Sequence, residues 1–151
     1  MGPSFSVNWN ATNTASATVP MGNLMATAAI FPTIYEINAG SDATADNAVK
    51  YAIRRTTARG TQSTAITPND VSGRDATAVA TFDTAWNINP TITASSEVLQ
   101  WGMHQRATYR WVAYDYTKMI GAGAGTARGL ALMSVVVSAT FNAVFSIEFQ
   151  E

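Results

Sequence analysis

Near its end the chain alternates strictly: Phe141, Ala143, Phe145, Ile147 and Phe149 interleave with Asn142, Val144, Ser146, Glu148 and Gln150. Successive side chains of an extended strand point to opposite faces, so this spacing predicts a strand with one apolar face buried. The same period recurs where Val49, Tyr51 and Ile53 alternate with Lys50, Ala52 and Arg54. It recurs again over residues 105–113, where Ala107, Tyr109 and Trp111 alternate with Arg106, Thr108 and Arg110, predicting a central strand. Runs rich in β-branched and aromatic residues predict further strands at 30–37, 76–82, 91–93 and 130–137. Pro32 marks an edge or a bend in the first of these. Residues 21–29 fit a helical turn or a strand equally, and 97–100 are too few to assign.

Turn chemistry separates these runs. Residues 38–42, Thr67-Pro68-Asn69-Asp70, Ser72-Gly73 and residues 87–90 carry the Gly, Pro, Asn and Asp that tight turns favour. Gly121-Ala122-Gly123-Ala124-Gly125 reads as a flexible connection. Residues 42–47 fit a loop or one helical turn. No window of about twelve residues carries the i, i+3, i+4, i+7 spacing of an amphipathic helix. The expected architecture is all-β: a single antiparallel β-sandwich, jelly-roll-like, over residues 21–151. Residues 1–20, with their small polar run from Asn10 to Thr18, are expected to form an extended N-terminal arm.

Composition narrows the chemistry. The 151 residues include no cysteine, which excludes disulfides, thiolate metal sites and a cysteine nucleophile, and fits folding in a reducing cytoplasm. Only 13% of residues are charged, against roughly 25% in an ordinary domain. Either neighbours cover much of the surface or the surface is simply polar and Thr-rich. No signal peptide and no membrane-spanning run is expected. His104 is the single histidine, and no GxSxG elbow sets a serine beside it, so no catalytic residue is assigned. The acids at Asp42, Asp46, Asp70 and Asp75 lack the regular spacing of a calcium loop, and no metal or cofactor is expected. The glycine run lacks a following Walker lysine.

Arg54, Arg55 and Arg59 form the densest basic patch, and Arg106 and Arg110 share a predicted strand face near Trp101. Arginine and tryptophan are enriched at protein interfaces, so these six are the candidate partner-interface residues. Internal ion pairs are the competing reading. A nucleic-acid surface is disfavoured by the formal charge of −1.

Several segments resemble small structural proteins of tailed phages: residues 51–62 with Arg54-Arg55-Thr56-Thr57, then Thr67-Pro68-Asn69, then residues 89–93. They continue with Gln105-Arg106-Ala107-Thr108-Tyr109-Arg110-Trp111 and the closing Glu148-Phe149-Gln150-Glu151. The resemblance is to head decoration, or cement, proteins and covers about residue 30 to the end. It implies a β-sandwich on the outside of the capsid, a homotrimer bound to the major capsid protein and bracing the shell. It implies a virion location and no catalytic residues. Another virion subunit, in the neck, tail or tail tip, is the nearest alternative. A carbohydrate- or cell-surface-binding β-module using Trp86, Trp101 and Trp111 is a more distant one.

Overall fold

The closing alternation becomes a strand held between two others. The computed structural model describes residues 2–151 apart from 43, 45, 47, 105, 138 and 139. In chain order the strands are β1 (Ser4–Thr12), β2 (Gly22–Met25), β3 (Thr33–Ser41), β4 (Ala48–Ala58), β5 (Thr61–Ile66) and β6 (Asn69–Asp70). They continue with β7 (Thr81–Ile88), β8 (Thr91–His104), β9 (Tyr109–Val112), β10 (Ile120–Gly121), β11 (Gly129–Val137) and β12 (Asn142–Gln150). A 3-10 turn at Tyr116–Lys118 is the one helical element among the described residues.

The strands form two antiparallel six-stranded sheets. The front sheet runs β10-β3-β12-β1-β6, with β9 also on β3; the back sheet runs β5-β7-β2-β11-β4-β8. Their facing sides share a core in which Trp9 of the front sheet meets Phe82 of the back at 4.5 Å. Tyr51 meets Phe145 edge-on at 5.3 Å. This is the expected all-β sandwich; the strand order does not establish a jelly-roll winding.

The expected N-terminal arm is not an arm. Residues 4–12 form β1, an inner strand of the front sheet, paired with β12 from Ser4↔Gln150 to Thr12↔Asn142. Phe5, Val7 and Trp9 are 0%, 0% and 5% exposed. They alternate with Ser4, Ser6 and Asn8, so burial on one face outweighs the polar composition of the segment. The following stretch is tied down as well. Asn13 N–H donates to Phe141 O at 2.8 Å, and Ser16 N–H to Ser134 O at 3.1 Å.

Other expectations shift as well, and the strand expected over 76–82 lies instead at β7, taking in residues 87 and 88 of the expected turn. Residues 38–41, expected as a turn, complete β3, because their partners Ala143 to Ser146 on β12 hold them extended. The central strand expected over 105–113 shrinks to the four residues of β9, on the outer edge of β3. Gln105 lies outside the described residues. Ala107 N–H donates to His104 O at 2.8 Å, a turn that ends β8 and leaves Arg106 off any strand. The reading of 42–47 likewise falls partly outside the described residues.

The back sheet rolls on itself. The ladder between β4 and β8 ends at Ala58↔Thr91, and the ladder between β5 and β7 resumes at Thr61↔Ile88. β4-β5 and β7-β8 therefore make one long ribbon, yet its halves occupy opposite ends of the sheet. In a flat sheet β4 and β5 would lie four strand spacings apart, about 19 Å. Three residues of chain reach at most about 11 Å, so the sheet curls until its ends approach. Its second face is consequently buried too: Asn23, Ala52, Thr56, Asp83, Ala131 and Met133 are at most 0% exposed. Gly60 sits at the bend with φ +74°, where a Cβ would lie 2.2 Å from Ile88 O.

Candidate partner-binding surface

The six candidate interface residues are mostly occupied internally. Arg59, at the ribbon bend, donates from Nε and Nη2 to the two carboxylate oxygens of Asp83, each contact 2.8 Å. Asp83 is fully buried, and the pairing raises the Arg59 pKa. The two residues are not ladder neighbours, since Asp83 pairs with Ala65; the contact spans the curl and fastens it. Arg54 pairs with Glu97 at 2.7 Å on the adjacent strand; Glu97's own backbone N–H and then the Arg54 hydrogen bond hold the Glu97 carboxyl below its usual range. Arg55 donates to Gly121 O at 2.8 Å, joining the two sheets.

Arg106 and Arg110 are not on a common strand face. Arg106 binds Asp46 at 2.9 Å and Thr44 O. Arg110, on β9, grips both oxygens of Glu36 at 2.8 and 3.0 Å. Trp101 is 6% exposed and stacks on Tyr109 at 4.7 Å with a 9° tilt, so its ring is core and not surface. Trp86 and Trp111 are half-buried. The basic patch therefore reads as structure first: hydrogen bonds that join strands, with Arg54 and Arg59 half-buried and Arg55, Arg106 and Arg110 exposed.

His104 Nε2 lies 3.8 Å from Asp46, and His104 Nδ1 accepts from Arg106 N–H at 3.3 Å. Among the described residues no three His, Asp or Glu side chains gather as a metal site would require. No helix among them is long and apolar enough to cross a membrane.

Two surface features were not singled out by sequence. The first is an excursion from a sheet edge. β9 pairs with β3 down to Val112↔Glu36, and Ala113 N–H donates to Tyr35 O at 2.8 Å. Pairing with β3 resumes at Ile120↔Ile34. β9 and β10 are thus one edge strand, interrupted by residues 114–119. Asp115 fixes the excursion by accepting from Thr117 N–H at 2.7 Å, and Lys118 N–H donates to Asp115 O at 3.1 Å. Tyr114 and Tyr116 project from it, 79% and 82% exposed, while Lys118 Nζ lies 5.9 Å from the Tyr114 ring centroid. The flanking acids and hydroxyls gave no periodic signal, because an excursion has no period.

The second feature is a cleft of about 540 Å³ on the outer face of the front sheet. Its floor is a register row, Asn8↔Ser146↔Asn38↔Arg110, crossing β1, β12, β3 and β9. Beside it runs Asn10↔Val144↔Gly40, with Thr108 as the wall. Asn38 Nδ2 donates to Glu36 Oε1 at 2.9 Å, and Arg110 and then Asn38 hold the Glu36 carboxyl below its usual range. Glu36 stands opposite Glu148, whose carboxylate accepts from Tyr35 Oη at 2.8 Å. Burial and then that bond push the Tyr35 phenol up to about 12. A polar outer residue on each strand was the available sequence signal, but register across four strands is not legible in one strand's pattern.

No family model, curated protein or solved structure matches this chain.

Proposed function

We propose that the chain is a structural subunit of a virus particle, a decoration protein seated on the outside of the major capsid shell. The resemblance over residues 51–62 and 105–113 motivates the class. The observation that carries it is the pinned excursion with Tyr114 and Tyr116 turned outward. Tyrosine rings offer large, stiff, amphipathic contact area with little side-chain entropy to lose, which is why they anchor protein interfaces. Two such rings left in water on a fixed turn fit a docking knob for the capsid protein. A homotrimer would multiply weak contacts of this kind into firm attachment.

The test is quantitative mass spectrometry of purified particles together with binding of the recombinant chain to empty shells. A copy number matching the shell lattice supports a head-surface role. A handful of copies per particle assigns the chain to the neck or tail. Absence from particles overturns the proposal. The double substitution Tyr114→Ala/Tyr116→Ala should abolish shell binding while leaving the β-sheet circular dichroism spectrum unchanged.

A further inference from the structure

We infer that the front-sheet cleft is a binding site for a neutral polyhydroxylated ligand, a short glycan lying across the strands. The inference is independent of the capsid role and rests on how the cleft is built. Its hydrogen-bonding groups are amides and hydroxyls of Asn8, Asn10, Asn38 and Ser146, which both donate and accept. Its one cation, Arg110, is held by both oxygens of Glu36, so the rim presents a neutralised pair and no free charge for an anion or a metal. Gly40 leaves the centre open, and Val144, 43% exposed, gives it an apolar patch. A volume of about 540 Å³ is within the usual range for a small-molecule site.

Spacing selects the ligand class. The polar row steps from strand to strand, at about 4.8 Å per step. An extended peptide presents same-side groups roughly every 6.8 Å, twice its rise per residue, and falls out of step after one residue pair. A pyranose ring is about one strand spacing across and carries hydroxyls along its whole edge. Linked rings therefore keep step with Asn8, Ser146, Asn38 and Arg110. Trp86, Trp101 and Trp111 play no part, because none of them lines the cleft.

The experiment is a ¹⁵N-resolved NMR titration of the whole chain with maltohexaose, cellohexaose and chitohexaose. At least one should move the side-chain amide resonances of Asn8, Asn10 and Asn38 together, with saturable shifts. Asn38→Ala should weaken that binding about fivefold, the loss of roughly one hydrogen bond. Gly40→Val sets a branched side chain in the centre of the cleft floor, where a Cβ meets only Thr108 Cγ2 at 3.8 Å; it should abolish the shifts while leaving the β-sheet circular dichroism spectrum unchanged. The inference fails if none of the three sugars moves these amides, or if Gly40→Val binds as the parent does. It fails equally if a serine-glycine octapeptide moves them and the sugars do not.

Discussion

Single residues decide how the curl is held and how one loop answers to pH. Arg59 and Asp83 bridge the rolled sheet, with Asp83 fully buried. Removing one partner strands a charge, whereas removing both does not. Arg59→Ala should therefore lower unfolding free energy by about 3 kcal/mol, read as a fall in the urea midpoint. The pair Arg59→Met/Asp83→Leu should recover most of that loss. Asp70 shows the other kind of control. Its carboxylate accepts from Ser72 Oγ and from the backbone N–H groups of Ser72, Arg74 and Ala76, winding residues 70–76 around itself. The Ser72 hydroxyl bond, followed by the Ala76 amide bond, lowers its pKa from 3.8 to about 2. Because the folded value is depressed, the contribution is complete above pH 3.8 and disappears as pH falls through about 2. The Arg74 and Ala76 amide resonances should titrate in that window, and in Asp70→Asn they should not.

Elements show what patterning can and cannot foretell. β12 was legible because one face is wholly buried: Ala143, Phe145, Ile147 and Phe149 are at most 1% exposed. β4 was legible for the same reason at Val49, Tyr51 and Ile53. β1 carries an equally strict alternation, but its small polar partners and the run after it favoured an arm by composition. The structure reverses the consequence: deleting residues 1–12 should leave no cooperative thermal transition, because Phe5, Val7 and Trp9 go with them. β8 was legible only at residues 91–93 because it is an edge strand, with ladder shifts after Ile53, Arg54 and Thr56 and Ser95 at φ 52°, so no period survives along it. The ribbon bend is a further case. One glycine, Gly60, gives no hint that fourteen-residue β8 and eleven-residue β4 continue into β7 and β5. Gly60→Val places a side chain against Ile88 O and forces a left-handed φ, so it should destabilise by well over 1 kcal/mol. A melting temperature unchanged in that variant would mean that the bend does not depend on this residue. The candidate surface was legible only in kind. Arginine and tryptophan were expected to meet a partner; the contacts the structure shows for them are with Glu36, Asp46, Asp83, Glu97 and Tyr109 of the same chain.

At the scale of the molecule, the chain's two ends close the front sheet. Ser4 pairs with Gln150, and Glu151 N–H donates to Pro3 O at 3.3 Å. The Glu151 carboxylate also accepts from Val79 and Ala80 N–H, tying the terminus to the segment before β7. β12 sits between β1 and β3, so neither of those inner strands is paired on that side until the final residues arrive. Ladders between distant segments carry a loop-closure cost before any contact rewards them, which places folding at the slow, millisecond-to-second end for single domains. A chain ending at residue 144 lacks Phe145, Ile147 and Phe149, so Trp9 and Tyr51 each lose one of the rings they pack on, Phe145. The back sheet cannot compensate, since its inward face is completed by those same rings. In a series of C-terminal truncations, resistance to trypsin and a cooperative urea transition should therefore appear only when β12 is complete. A chain ending at residue 144 that still unfolds in one sharp transition would show that the rolled back sheet is a folding unit by itself, and that the front sheet is added to it rather than built with it.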